Sequence, residues 1–210
     1  MVGRVVTCPP PNPFDPLVAV LESGELLYRV HSNRFASTEF NPGYGRSRFA
    51  FFTDADGAIV PVMYAAATQE AAVAETLLHD VPVTGVYLGY DDYSTKVMTR
   101  VRTTRRLRVA TFHGLGLRQL KTDVADLTAS PASTYDTTVL WSEAAHKAGL
   151  DGVVWMSRQC NDAKAYVFFG DRCADAIDQD LSFARIFEGP DVLWLIDLCA
   201  PLGVDVLPPC

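Results

Sequence analysis

Leu27-Tyr28-Arg29-Val30 reads as the middle of a short strand over residues 26–31, aliphatic and aromatic side chains with one cation among them, broken by Ser32-Asn33. Outward from it, Asn41-Pro42-Gly43-Tyr44-Gly45 concentrates turn-forming residues and reads as a loop. Residues 48–53 read as a second strand, and Asp54-Ala55-Asp56-Gly57 as the turn of a hairpin returning through 60–64. Thr68-Gln69-Glu70 opens a helix, with a hydroxyl at the cap and a carboxylate in the first turn. Ala71-Ala72-Val73-Ala74-Glu75-Thr76-Leu77-Leu78 continues it, and Pro82 is its expected stop.

Further strands are expected at 83–90, 96–103, 106–111 (paired nearby), 151–157 and 165–169, the last followed by a Gly170-Asp171 turn. A short helix at 142–148 ends at Gly149. Strands outnumber helices and the connections are short. The pattern predicts an α+β fold with a mixed or antiparallel β core and flanking helices, not regular βαβ alternation. No internal repeat is visible, so residues 1–210 are read as one domain. Cys8-Pro9-Pro10-Pro11-Asn12-Pro13-Phe14-Asp15-Pro16 cannot form helix or inner strand, because proline lacks the amide donor and restricts its predecessor. Residues 1–17 are therefore a Pro-rich extended arm.

Composition narrows the function classes. Apolar residues at 49% and charged residues at 20% fit a globular domain. A net charge of −7 argues against direct nucleic-acid binding, which needs a basic surface. The local exception is Arg100-Val101-Arg102-Thr103-Thr104-Arg105-Arg106-Leu107-Arg108, five arginines in nine residues. It is read as a solvated strand and turn in preference to a phosphate or partner site. Five cysteines without CxxC spacing support neither zinc nor redox chemistry, and they point to reduced thiols in the cytoplasm. His31, His79, His113 and His146 show no metal spacing, so no metal site is expected. The first residues lack the apolar core of a signal peptide. The apolar run at 192–207 is broken by Asp197, Pro201, Gly203 and Asp205, too short and polar to span a membrane. It could pack on a partner, on a second copy in a homodimer, or on its own core.

Four residue types could do chemistry. Glu75 shares a helix face with Ala71, Ala72, Leu78 and His79 in a segment apolar nearly all round. It is either solvated at the helix edge or buried with a partner, and the small alanines allow a ligand to approach it. Arg29 is either a surface strand residue or an inward cation that needs an anion such as pyrophosphate. Arg48 poses the same choice beside Gly45, and it is preferred over Arg46 because Phe49 and the following apolar run anchor it. Tyr64, at a strand-to-helix junction, either packs or stacks on a ligand ring. Ser157 has no GxSxG surround and reads as a hydrogen-bonding group, not a nucleophile. Gly114-Leu115-Gly116 and Gly43-Tyr44-Gly45 lack a dinucleotide fingerprint.

Taken in order, Tyr28-Arg29, the Gly45–Phe49 stretch, Tyr64-Ala65-Ala66 before the Glu75 helix and Trp155-Met156-Ser157 resemble the RES domain. That family supplies the toxins of bacterial RES–Xre type II toxin–antitoxin systems. The resemblance spans about residues 26–175 and leaves 181–210 as a C-terminal extension. It implies a fold like the NAD-binding core of ADP-ribosylating toxins and cleavage of the nicotinamide–ribose bond of NAD. NAD is then a substrate, with no cofactor, and phosphate or water is the acceptor. The alternatives are protein ADP-ribosylation and a non-catalytic binding module. Carried over by motif, Glu75, Arg29 and Tyr64 are catalytic, while Arg29, Arg48, Tyr64 and Ser157 bind NAD. The implied partner is a small helical Xre-like antitoxin that covers the mouth of the site.

Overall fold

The computed structural model describes residues 8–79 and 86–208. Its main sheet contains β1 (Val18–Leu21), β2 (Leu26–Ser32), β3 (Val62–Ala66), β5 (Lys96–Thr103), β6 (Leu107–Thr111), β7 (Gly152–Met156), β8 (Lys164–Phe169) and β9 (Ile177–Ile186), and β4 (Val86–Leu88) lies outside it. The order across the sheet is β1-β6-β7-β8-β3-β2-β5-β9. Every neighbouring pair is antiparallel except β6 with β7. β4 pairs in parallel with β10 (Val204–Val206) in a separate two-stranded sheet. The helices are α1 (Gln69–Thr76), α2 (Tyr90–Tyr93), α3 (Leu115–Gln119), α4 (Tyr135–Lys147), α5 (Gly170–Cys173) and α6 (Pro190–Cys199). The architecture is α+β, a mixed, largely antiparallel sheet with flanking helices, as the pattern predicts.

Strand alternation assigns the two faces. Val153 and Trp155 of β7 join Val167 and Phe169 of β8 in one core with Trp141 of α4, while Val154, Tyr166 and Phe168 turn to another. A third core gathers α1, Val30 of β2, Met98 of β5 and Val192, Leu195 and Cys199 of α6. The apolar C-terminal run therefore packs on the protein's own core. The Pro-rich arm is also tied down, for Trp141 Nε1 donates to the Cys8 carbonyl at 3.0 Å and Phe14 meets the Trp141 ring edge-on.

One irregularity creates the site. β2 and β3 register only at Tyr28↔Ala66, so the antiparallel pairing stops there and does not continue towards Val30 and Tyr64. Where β2 leaves, Asn41 takes its place, exchanging backbone hydrogen bonds with Val62 (2.8 and 3.0 Å). Segment 33–44 is thus wedged into a split in the sheet.

Several sequence expectations need correction. Residues 48–53 do not form a strand; only isolated bridges Ser47↔Ala50 and Thr53↔Ile59 flank that stretch. The apolar side chains read as strand, Phe49 and Phe52, are instead anchored in the α4 core. The turn at 54–57 is present, closed by Asp54 Oδ1 accepting from Asp56 and Ala58 N–H. The strand expected at 106–111 to pair nearby forms as β6, whose partners are β1 and β7. The helix expected at 142–148 begins earlier, as α4 at Tyr135, and the Gly170-Asp171 turn is the start of α5. α1 ends at Thr76, and Pro82 lies outside the described residues, as does part of the strand expected at 83–90.

Candidate active site

A cavity of about 370 Å³ opens in the split, lined by Arg29, Asn41, Arg46, Ser47, Arg48, Tyr64, Glu75, His79 and Trp155 among others. Each side chain arrives for a local reason. Thr68 caps α1 by accepting from Ala71 N–H at 3.2 Å, which fixes the start of the helix and hence the direction of Glu75. Ala71, Ala72, Val73 and Ala74 are buried, so the small face lets α1 lie close to β2 and β3. Glu75 is half-buried, and its Oε1 accepts the Arg158 N–H at 3.2 Å. One oxygen is therefore held by the backbone just past β7.

Arg29 is 9% exposed. Its Nη1 donates to the carbonyls of Ser37 (2.7 Å) and Glu39 (3.0 Å), pinning the wedge segment. Its Nε is buried and has no partner among the described residues. Burial pushes its pKa down to about 10, partly offset by the charge of Glu39. Arg48, 4% exposed, donates through Nη2 to the Ser130 carbonyl at 3.1 Å and stacks over Tyr135, its guanidinium carbon 5.6 Å from the ring centroid. Its own carbonyl accepts the Thr138 hydroxyl at 2.6 Å, and its Nε is likewise buried without a partner among the described residues. Arg46 reaches the same cavity but is exposed and ion-paired with Asp136 of α4. Because no regular strand forms here, strand alternation does not relate Arg46 to Arg48. Gly45, at φ +82°, makes the turn that delivers both, a conformation costly for side chains with a Cβ.

Tyr64 is half-buried, its hydroxyl 2.8 Å from Ser47 Oγ and accepting the Phe49 N–H at 3.3 Å. Burial pushes its pKa up to about 12, so the phenol is neutral. Its ring meets Trp155 edge-on at 6.0 Å.

Arg29, Arg48, Tyr64 and Glu75 thus share one cavity. Ser157 does not line it. It is fully buried, its N–H bonds the Ala163 carbonyl, and its Oγ has no partner among the described residues. It stands directly behind the wall, one peptide from the N–H that holds Glu75. The sequence reading passed over Asn41, Ser47, His79 and Trp155 as wall residues. Two of these carried a signal. His79 follows Glu75 by one helical turn, and Trp155 precedes Ser157 by two residues on a strand. Among the described residues no cluster of His, Cys, Asp or Glu could hold a metal ion, and no helix is long and apolar enough to cross a membrane.

The orphaned donors are informative, because buried polar groups are almost always satisfied. Of the buried side-chain polar atoms without a partner among the described residues, Arg29 Nε, Arg48 Nε and Trp155 Nε1 belong to residues of this one wall, while His113 Nε2, Ser142 Oγ, Ser157 Oγ and Arg185 Nε do not. Two buried guanidinium ions with spare donors, and with no carboxylate bonded to either among the described residues, form a site for an anion. The same cavity holds a carboxylate, Glu75, with one oxygen engaged.

A family model for the RES domain matches residues 26–187, and the chain belongs to that family. The match runs through β9, beyond the end at about 175 that the sequence suggests. Among solved structures, the crystal structure of the M. tuberculosis MbcT–MbcA toxin–antitoxin complex contains a chain of similar fold. Its TM-score is 0.57 at 13% identity, over 86% of this chain and 92% of that one. A comparison with curated proteins gives no significant match.

Proposed function

We propose that this protein is the toxin of a toxin–antitoxin pair and consumes NAD by cleaving its nicotinamide–ribose bond. The observation that carries the reading is the convergence of Arg29, Arg48, Tyr64 and Glu75 on one cavity, with both arginine Nε groups unpartnered. Membership of the RES family and the fold shared with a chain of a toxin–antitoxin complex support it.

In this reading the pyrophosphate lies on Arg29 and Arg48, whose remaining N–H groups supply charge-assisted hydrogen bonds. That places the scissile ribose against Glu75. The C1′–N bond breaks and its electron pair goes to the nicotinamide ring, which leaves neutral. Positive charge builds on the ribose, and the Glu75 carboxylate stabilises it more than it stabilises the ground state. Water or phosphate then forms the new C1′–O bond and releases a proton to solvent. Tyr64, neutral and hydrogen-bonded to Ser47, gives the ring a fixed wall without adding charge. The protein acts in the cytoplasm, where NAD is available, and a small helical Xre-like antitoxin silences it by covering the mouth.

The test is incubation of purified protein with NAD. Free nicotinamide without protein labelling is the expected result. Labelling of a protein by ADP-ribose would replace this reading with ADP-ribosyl transfer. Neither product would leave a non-catalytic module.

A further inference from the structure

A second cavity of about 350 Å³ lies on the other side of the wedge segment 33–44, lined by Arg29, His31, Phe35, Glu39, Tyr44 and Lys96 among others. It shares Arg29 and Asn41 with the first. Both cavities follow from the same split in the sheet. Where β2 parts from β3, the segment fills the gap and leaves a compartment on each side, with Arg29 in the wall common to both. Nη1 is used on the segment's carbonyls, and Nε remains a buried donor without a partner among the described residues.

The second compartment differs in chemistry from the first. Phe35 and Tyr44 are 45% and 71% exposed, and neither makes a ring contact with another aromatic among the described residues. Exposed, unstacked rings on a cavity wall are stacking surfaces for a flat heterocycle, as in sequence-tolerant base binding. The charges are Arg29 and Lys96 against Glu39, with His31 neutral between its two hydrogen bonds. The balance is one positive charge, suited to a ligand that carries phosphate at one end. Taken singly, either cavity is at the low end of the range for small-molecule sites, roughly 300–1,000 Å³.

We infer that this compartment takes the purine nucleotide half of the substrate: base against Phe35 and Tyr44, phosphate at Arg29. The inference rests on the NAD reading and deepens it. A dinucleotide whose linker sits on a residue common to both compartments must place one ring system in each. The cavity with Glu75 takes the scissile half, so the other half goes to Phe35 and Tyr44.

Two measurements test it. The first compares cleavage of NAD with cleavage of nicotinamide mononucleotide, which keeps the scissile bond and lacks the adenylate. In Phe35→Ala and Tyr44→Ala the preference for NAD over the mononucleotide should fall roughly five- to a hundred-fold, the range for removal of a base-stacking ring. An unchanged preference overturns the inference. The second measurement is binding of adenosine monophosphate by calorimetry, which needs no turnover. Binding that is weakened in Phe35→Ala and kept in Glu75→Gln supports the compartment. Absence of binding to the unsubstituted protein overturns it. Adenosine monophosphate binding without NAD cleavage would retain the compartment and remove the proposed reaction, so the two readings fail separately.

Discussion

Two groups of arginines in this molecule differ in a way that sequence alone does not separate. Arg100, Arg102, Arg105 and Arg106, in and between β5 and β6, each meet an acid. Arg100 Nε is 2.7 Å from Asp180, Arg102 3.6 Å from the same carboxylate, Arg105 3.0 Å from Asp151 and Arg106 3.4 Å from Glu22. Hydrogen bonds from Ser182, and then from Arg100, hold the Asp180 carboxyl down at about 2. Arg29 and Arg48 are more buried, bond to backbone carbonyls, and keep unpartnered Nε donors. Density of positive charge therefore does not mark an anion site here. The mark is burial without a carboxylate partner, because such a cation has been desolvated and not repaid.

The largest effect expected from the cavity group is on chemistry. Glu75→Gln keeps shape and the hydrogen bond from Arg158, yet removes the charge that favours the transition state. Turnover of NAD should fall by ~10²-fold or more, with folding intact by circular dichroism. Near-normal turnover in a folded variant would take Glu75 out of the mechanism. Next come the arginines. Arg29→Lys and Arg48→Lys keep charge and lose the planar fork, so affinity for NAD or ADP-ribose should weaken about tenfold each. Arg102→Lys, changed in the other group, should leave affinity alone. If all three variants bind equally well, the division between the groups has no functional meaning.

The paired group should respond in stability. Asp180→Asn removes the charge and replaces one of the two carboxylate oxygens, which serve Arg100 and Arg102 (Oδ2) and Ser182 (Oδ1), with an amide donor, so thermal unfolding should shift downward while ligand affinity stays constant. A change in affinity with unchanged unfolding temperature would reverse the two roles.

What the sequence made legible follows from periodicity. β5 occupies the expected residues 96–103, β2 and β8 differ from expectation by one residue, and α1 begins at the predicted Thr68 cap. Local alternation and capping chemistry decide these elements, and both are written in neighbouring residues. The split between β2 and β3 was not legible, because it depends on Asn41 replacing a strand that is distant in no local pattern. Residues 48–53 looked like a strand because Phe49 and Phe52 are core residues, and burial mimics strand composition. The site shows the same division. Glu75 was readable from its alanine-rich helix, while Ser47, whose hydroxyl meets Tyr64, had no signal before tertiary contact was known.

The smallest effect expected concerns how far the unpaired charge of Arg29 is felt. His31 is 8% exposed, with Nδ1 2.9 Å from the Ser32 carbonyl and Nε2 3.0 Å from Thr99 Oγ1. A carbonyl only accepts, so Nδ1 carries the proton and Nε2 accepts from the threonine hydroxyl. Both nitrogens are matched in the neutral ring. Burial first, then the charge of Arg29, pull the pKa from 6.5 down to about 4, with Lys96 pulling the same way and Ser32 and Glu39 opposing. The unfolded chain takes up this proton near 6.5 and the folded one only near 4. Stability should therefore fall as pH drops from 6.5 to 4 and level off below, by on the order of 1–2 kcal/mol after allowing for solvent screening. Asp180 departs in the same direction, and its stabilising contribution is present above 3.8 and lost towards 2, so stability falls with falling pH in both windows and the two do not overlap. Urea unfolding at pH 7, 5.5 and 4.5 should show a shallower slope in His31→Gln. Proton magnetic resonance of the His31 ring should show its pKa rising in Arg29→Gln and staying put in Arg102→Gln. An imidazole that titrates alike in all three proteins would mean that the Arg29 charge is neutralised within the wall, and the contrast between the two groups would then rest on burial alone.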